Sequence, residues 1–231
     1  MISLLHATRG RLQQAIACRE KWLAAANDPE SIEHLFAFDA DDEESAPLAE
    51  YPHVVASGEG GCVEAWNLAA VKCAGQILVQ LSDDWTPPKN WDETVRDRLG
   101  DLDQSKVLAV SDGFRSDKLL TIAILTRARY EAQGWMFYPG YFSMMSDWDF
   151  THSAYRDGVI VEARDVIFSH DHPNVNAAEW DETYARQNDI RHYRRGYALF
   201  LERNPEAMKE WPWHKRLRFA IARWRGRVPK E

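Results

Sequence analysis

Short apolar runs alternate along this chain with stretches of helical periodicity, and one run ends in an unusual way. The segment Ile77 to Leu81 is apolar at four of its five positions, which predicts a buried strand. Two prolines, Pro87 and Pro88, prevent the strand from continuing. The pattern therefore presents the adjacent carboxylates of residues 83 and 84 at the carboxyl end of a strand, where open α/β sheets bind ligands.

The same reading along the rest of the chain predicts strands that alternate with helices. The first part has the order β-α-β-β-α-β, with short polar loops after the strands, which indicates a mostly parallel, layered sheet. Beyond Asn174 the chain looks helical to its end, without a linker that would mark a domain boundary. Strands are predicted at 2–6, 33–38, 51–56, 77–81, 106–110, 121–126, 159–161 and 165–168, and helices at 12–26, 63–74, 91–99, 127–133 and 147–155.

Composition narrows the class of protein. The 231 residues fit one domain, and the net charge of -8 argues against a general nucleic-acid binder. Three cysteines fit a reduced, cytoplasmic protein better than a disulfide framework. No apolar run approaches the roughly 18 residues of a membrane span. The first residues lack the long apolar region of a signal peptide, so we expect a cytoplasmic protein.

Carboxylates and histidines gather after several of the predicted strands and at the start of one predicted helix. Carboxylate pairs suit Mg²⁺ or Mn²⁺ bound together with a phosphate, because both ions prefer oxygen ligands. Each cluster also has a simpler explanation: a solvated acidic loop, complementation of a helix dipole, or a histidine on a surface loop. The clusters are Asp39 to Glu44, Asp83 with Asp84, Asp147 with Asp149, and His170 with His172.

The order of these motifs resembles the GT-A glycosyltransferases of the large family 2. The resemblance covers residues 1 to about 175 and implies an α/β fold with a mixed, Rossmann-like sheet flanked by helices. Residues 176–231 are then a C-terminal helical extension packed on the same domain. The matching pieces are Ile2-Ser3-Leu4-Leu5, Thr8-Arg9, Phe36-Ala37-Phe38-Asp39, Asn67-Leu68-Ala69-Ala70, Ala74-Gly75, Leu81-Ser82-Asp83-Asp84, Asp147-Trp148-Asp149, His170 and His172.

The resemblance implies roles for residues that would bind a nucleotide. Thr8, Arg9 and Asp39 would line the pocket for the base and ribose, with Asp39 accepting a hydrogen bond from the base. Asp83 would contact the ribose or a metal-bound water. Leu81 stands where many members carry an earlier Asp, so only the adjacent pair is left.

The resemblance also implies a metal and a catalytic base. Asp84 would bind the metal, and His170 or His172 would complete its shell near the diphosphate. An imidazole ligand favours Mn²⁺ over Mg²⁺. Asp147 would deprotonate the hydroxyl that is glycosylated, and a base on the opposite face of the sugar leads to inversion. The implied activity is transfer of a sugar from a nucleotide donor, UDP-linked by preference, in polysaccharide biosynthesis.

Aromatic residues lie near the proposed base and are candidates for an acceptor site, because rings stack on the apolar faces of sugars. Packing in the core is the alternative for the loop of Trp135 to Phe142. Two further tryptophans each adjoin a proposed catalytic acid. The acceptor candidates are Trp85, Trp135, Tyr138, Trp148 and Asp149.

The end of the chain combines a hydrophobic stripe with basic residues. Apolar positions between Trp213 and Val228 recur at helical spacing, with five Lys and Arg residues around them. Such a helix lies on an anionic membrane surface or packs its stripe on the domain. The first alternative would make the protein peripheral to the inner face of a membrane.

Two other functions fit the same layered architecture. A sugar-phosphate nucleotidylyltransferase normally needs a glycine-rich loop after the first strand, and here that loop holds a single glycine, Gly10. A non-catalytic module that binds a nucleotide or a glycan is the other alternative. The set of acids and histidines argues against such a degenerate protein.

Overall fold

The computed structural model describes residues 1–171 and 181–208. In this part of the chain, seven strands form one central sheet. The strands are β1 (Ile2–Ala7), β2 (Ile32–Asp39), β3 (His53–Ala56), β4 (Ile77–Leu81), β6 (Val107–Ser111), β7 (Ile124–Thr126) and β8 (Ile160–Ile167). Their order across the sheet is β3-β2-β1-β4-β7-β6-β8. A small separate sheet pairs β5 (Trp85–Thr86) with β9 (Ser169–His170).

The central sheet is mixed. Strands β1, β2, β3 and β4 run parallel to one another, and β6 runs parallel to β8, whereas β7 is antiparallel to both β4 and β6. The mixed sheet of the predicted fold is thus confirmed. The two strand pieces predicted at 159–161 and 165–168 instead belong to one strand, β8, whose register against β6 shifts between Ala109 and Ser111.

Helices cover both faces of the sheet because the central strands are apolar on both sides. Every residue of β1 and β4 is buried. Alternate residues supply two separate cores: Leu5 and Leu78 lie in one, and Leu4 and Val79 in the other. The helices are α1 (Leu12–Ala25), α2 (Gly61–Lys72), α3 (Trp91–Leu99), α4 (Arg127–Gln133), α5 (Ser146–Arg156), α6 (Glu182–Gln187) and α7 (Ile190–Arg203).

Each face has its own helices. Residues of α2, α5 and α7 contribute to the first core, and residues of α1 and α3 to the second. Helix α2 begins at Gly61 with φ of +65°, and a Cβ there would lie 2.3 Å from the carbonyl oxygen of Phe142. Glycine therefore lets the loop before α5 close against the start of α2.

Helices α6 and α7 belong to the predicted C-terminal extension and contact the first 171 residues at several points. Asp181 accepts two hydrogen bonds from Arg11, at 2.6 and 2.8 Å, just before α6 begins. At the end of α7, Arg203 donates to Asp149 on α5 at 3.1 Å. The basic helix predicted between 213 and 228 lies outside the described residues, so its membrane contact stays a prediction. None of the described helices has the length and apolar character to cross a membrane.

Candidate functional site

Two adjoining cavities open at the carboxyl ends of the parallel strands. The large cavity has a volume of about 770 Å³, and the small cavity has about 70 Å³. Parallel strands end at the same edge of a sheet, which brings the loops after β1, β2 and β4 together there. Asp84 lines both cavities and therefore stands at their junction.

The small cavity contains the four residues predicted to bind a nucleotide: Thr8, Arg9, Asp39 and Asp83. The side chain of Asp39 is 6% exposed and accepts hydrogen bonds from Arg9 at 2.7 Å and Arg186 at 2.8 Å. The sequence motifs thus point to side chains that lie around one small space. The contact of Arg186, which comes from α6, was not predicted.

Asp83 is held on both of its oxygens. His6 Nε2 lies 3.0 Å from Oδ1, and the Thr8 hydroxyl donates to Oδ2 at 3.1 Å. The Arg11 guanidinium lies 3.8 Å from Oδ2. His6 is fully buried in β1, and no sequence pattern distinguished it from the aliphatic residues around it.

The carboxyl of Asp84 has three hydrogen-bond partners among the described residues. Ser82 donates to Oδ1 at 2.9 Å, while Oδ2 lies 2.7 Å from the Tyr184 hydroxyl and 3.2 Å from His170 Nε2. Burial opposes ionisation of this carboxyl, but the contacts with His170, Tyr184 and Ser82 outweigh it and hold the pKa of Asp84 well below its usual range. Asp84 is therefore a carboxylate at neutral pH, as a metal ligand must be.

His170 reaches Asp84 because two short strands pair across the site. Trp85 is opposite His170 in the β5–β9 sheet, and their rings stack with centroids 4.1 Å apart at 9°. Trp85 is 1% exposed, and its carbonyl accepts a hydrogen bond from the indole of Trp22 at 3.1 Å. The His170 imidazole thus stacks on a buried indole ring that is itself held by a neighbouring tryptophan.

Asp84 and His170 fit a divalent ion that is shared with a phosphate group. Their facing atoms are 3.2 Å apart, close to the roughly 3 Å between adjacent ligands of an octahedral ion with bonds of about 2.1 Å. Within residues 1–171 and 181–208, no group of three or more potential side-chain ligands is arranged around one point. Such an ion would take its remaining ligands from phosphate and water. His172, the other predicted ligand, lies outside the described residues.

Asp147 lies in the first turn of α5 and lines the large cavity. Burial raises its pKa to about 6, although the backbone N–H of Trp148 and the charge of Arg115 oppose the shift. A carboxyl with a pKa near neutrality can accept a proton and release it again at physiological pH.

Aromatic side chains form much of the wall of the large cavity. Phe114, Trp148 and Tyr193 are exposed over 44%, 38% and 40% of their surface, and all three line it. Trp85 lines it as well. Exposed rings around one cavity are available to stack on a ligand. Phe114 and Tyr193 were not predicted, because they come from a loop after β6 and from the distant helix α7.

Three of the predicted acceptor residues lie elsewhere. Asp149 is 4% exposed and accepts hydrogen bonds from Arg203 at 3.1 Å and Asn204 at 2.7 Å. The same Arg203 guanidinium lies over the ring of Tyr138 at 3.5 Å and near that of Trp135 at 5.8 Å. None of these three side chains is part of the lining of either cavity. They join α5 and the aromatic loop to α7 instead.

Helix α6 covers one side of the small cavity. Thr183 donates to the carbonyl of Arg9 at 2.8 Å, and the ring of Tyr184 packs under the Arg11 guanidinium at 4.1 Å. Both Tyr184 and Arg186 also contact predicted site residues, Asp84 and Asp39. These contacts join residues that are 100 or more positions apart in the sequence, so no local sequence pattern predicts them.

Comparison with known proteins identifies the fold. No protein-family profile and no curated protein matches the chain. Among solved structures, S. aureus TarS in complex with UDP-GlcNAc superposes with a TM-score of 0.58 at 16% identity, over 88% of this chain and 72% of that one. A longer TarS chain gives 0.60 at 15% identity over 88% of this chain, which spans only 43% of it.

Two further matches come from other organisms. The mannosyltransferase PcManGT of Pyrobaculum calidifontis, in complex with GDP-Man and Mn²⁺, has a TM-score of 0.59 at 13% identity, covering 91% of this chain and 65% of that one. Glucosyl-3-phosphoglycerate synthase of Mycobacterium tuberculosis, with Mn²⁺, UDP and phosphoglyceric acid, has 0.58 at 10%, covering 88% and 78%. The chain therefore has the GT-A fold that the sequence resemblance predicted.

Proposed function

We propose that the protein is a metal-dependent glycosyltransferase that moves a sugar from a UDP-linked donor to a hydroxyl of a glycan, with inversion. One observation carries this proposal. The Asp84–His170 pair stands at the junction between a cavity lined by Asp39 and Asp83 and a cavity lined by Asp147. Nucleotide, metal and acceptor sites in that order are what sugar transfer requires.

The small cavity is the proposed nucleotide site. Its carboxylates accept hydrogen bonds, as recognition of a uracil N–H by Asp39 and of ribose hydroxyls by Asp83 demands. Arg9 and Thr8 lie beside them. A volume of about 70 Å³ is too small for a nucleotide, since small-molecule sites measure about 300–1,000 Å³. Entry of a nucleotide would therefore require the lining of this cavity, α6 included, to shift.

Asp84 and His170 would hold the metal, Mn²⁺ in preference to Mg²⁺ because of the imidazole. When bound, the ion would offset the negative charge that develops on the leaving diphosphate. The solved structures of PcManGT and of the M. tuberculosis synthase contain Mn²⁺, which supports this part of the proposal.

The large cavity is the proposed site of the acceptor and the transferred sugar. Its volume of about 770 Å³ is within the range of small-molecule sites. Exposed rings such as Trp148 suit the apolar faces of a glycan. A role in polysaccharide biosynthesis would follow from such an acceptor.

Asp147 is the proposed catalytic base. The acceptor oxygen forms its bond to the anomeric carbon while the bond from that carbon to the diphosphate breaks, and the acceptor proton passes to the Asp147 carboxylate. A base in the acceptor cavity supports attack from the face opposite the leaving group, which inverts the anomeric centre.

All three cysteines are free in the structure, which fits the proposed cytoplasmic location.

A thermal-shift titration with UDP, GDP and other nucleotides, each with and without Mn²⁺, tests the proposal. We expect a rise in melting temperature with UDP that requires Mn²⁺ and disappears in Asp84→Ala. Asp165→Ala is the matched control, because Asp165 is an exposed residue of β8 paired with Arg98.

A screen of UDP-sugars and glycan acceptors then tests turnover. Loss of turnover in Asp147→Asn, with UDP binding intact, would support catalysis. Metal-dependent binding of UDP without turnover in the wild type would point to a non-catalytic binding module. If no nucleotide shifts the melting temperature, the transferase proposal fails.

A further inference from the structure

Two buried histidines connect the middle of the sheet to the small cavity. His6 in β1 is 0% exposed, His34 in β2 is 5% exposed, and the Asp83 side chain is 4% exposed. His34 Nε2 lies 3.0 Å from His6 Nδ1, and His6 Nε2 lies 3.0 Å from Asp83 Oδ1. The three side chains form a hydrogen-bonded row that ends at the proposed nucleotide site.

The chemistry of the three groups determines which atom donates and which accepts in each hydrogen bond of this row. A carboxylate only accepts hydrogen bonds, so His6 must carry its proton on Nε2. His6 Nδ1 then accepts the Nε2–H of His34. His34 Nδ1 is then left without a proton. Burial, together with the charge of Arg19, lowers the pKa of His34 well below its usual value and keeps it neutral.

Packing alone does not call for histidines at these positions. The rings of His6 and His34 lie 5.1 and 4.5 Å from the ring of Phe36, and an aromatic hydrocarbon would fill this space without polar atoms to satisfy. Buried polar rows limit the orientation of the groups they contact. Here the group at the open end is Asp83, whose other oxygen is bound by Thr8 at 3.1 Å.

We propose that His6 is a positioning residue that, backed by His34, aims the Asp83 carboxylate at the ribose hydroxyls of the sugar donor. The inference rests on the proposed function, because it takes the small cavity to be the nucleotide site. His6 acts through Asp83 and does not contact the nucleotide. Loss of its N–H would leave Asp83 able to rotate and would weaken ribose binding without changing the reacting groups.

A double-mutant cycle on the full chain tests this coupling, with UDP and Mn²⁺ as the probe. His6→Phe removes the N–H and retains a ring, whereas His6→Gln retains an N–H donor near the same place. We expect His6→Phe to raise the Kd for UDP and the KM for the sugar donor about 10-fold, the effect of one hydrogen bond to a charged group. The value of kcat should stay within about 2-fold.

Two comparisons separate positioning from a structural effect. His6→Gln should recover most of the affinity, and His6→Phe should add nothing to Asp83→Ala in the double variant. If the two effects add in full, or if wild type and His6→Phe bind UDP equally well, the inference is overturned while the transferase proposal stands. If the wild type binds no nucleotide, both fall.

A measurement on the wild type avoids any loss of folding in the variants. Nitrogen-15 spectra of the imidazoles report which ring nitrogen carries the proton. We expect His6 and His34 each to carry a proton on Nε2. A proton on Nδ1 of His6 would reverse the row and overturn the inference, whatever the enzyme assays show.

Discussion

The Tyr184 hydroxyl donates a 2.7 Å hydrogen bond to Oδ2 of Asp84, the atom that also faces His170. Tyr184 belongs to α6 and is 6% exposed. A metal ion bound by Asp84 and His170, as proposed, would compete with the Tyr184 hydroxyl for Oδ2 of Asp84. Binding of a metal with the nucleotide would then oppose the closed position of α6.

Replacement of Tyr184 by Phe should tighten binding of UDP with Mn²⁺ about 3- to 10-fold. The variant loses a hydrogen bond that holds α6 closed, so a larger fraction of molecules is ready to bind. Without ligand, the free energy of unfolding should fall by about 1 kcal/mol. Calorimetric titration and thermal melts measure the two effects, and Tyr193→Phe on α7 is the control. Weaker binding of UDP would instead mean that the Tyr184 hydroxyl contacts the ligand.

Turnover should depend on the ionisation of Asp147. Only the carboxylate can accept a proton, and burial raises the pKa of Asp147 to about 6. We expect kcat/KM to be level above that pH and to fall about 10-fold per pH unit below it. UDP binding measured at the same pH values separates loss of the base from loss of the donor. Full activity at pH 5 would contradict the assignment of Asp147 as the base.

The same group should make Asp147→Asn more stable than the wild type at pH 7.5. A folded-state pKa of about 6 against an ordinary value of 3.8 means that the charged form is disfavoured in the folded state. The resulting loss of stability develops as pH rises from about 4 and is complete above 6. The start of α5 favours a negative charge, but burial is the largest influence on the pKa of Asp147 and acts in the opposite direction.

Thermal melts of Asp147→Asn and Asp149→Asn, two variants of one helix, test whether the Asp147 substitution stabilises the protein. Asp149 accepts hydrogen bonds from Arg203 and Asn204, so Asp149→Asn should lower the melting temperature at pH 7.5. Asp147→Asn should raise it, and the rise should vanish near pH 4. A lower melting temperature for Asp147→Asn at pH 7.5 would contradict the prediction.

Two tryptophans offer a matched test of the proposed acceptor cavity. Trp148 is 38% exposed and lines the large cavity, whereas Trp135 contacts Arg203 and is not part of that lining. Trp148→Ala should raise the acceptor KM about 3- to 10-fold by removing a stacking surface, with little change in the KM of the sugar donor. Trp135→Ala should leave both values near those of the wild type. Equal effects of the two substitutions would argue against Trp148 as an acceptor contact.

Several elements could be predicted from the sequence because their signals are local. Helices α3 and α4 have the predicted bounds, 91–99 and 127–133, since caps and helical periodicity involve residues within a few turns. Strand β4 was recognisable from its apolar run, and Asp83 and Asp84 follow it as expected. The predicted fold also implied that the loops bearing Thr8, Asp39 and these carboxylates would meet.

Contacts between distant segments could not be predicted from such local signals. Trp85 pairs with His170, Tyr184 reaches Asp84 and His34 backs His6, and each partner lies at least 28 positions away. The antiparallel direction of β7 and the burial of Asp149 against Arg203 also depend on how elements pack. From its sequence position alone, Asp149 could equally contact a glycan or form an ion pair with a distant arginine.

The sequence by itself thus determined most of the central strands, the helices between them and the candidate carboxylates, because periodicity and turn residues act over a few positions. The tertiary structure decided which candidates face a cavity, which of them are already paired, and that α6 closes over Asp39 and Asp84. The physical reason is that hydrogen bonds and burial depend on distance in space, and distant segments meet only when the chain has folded.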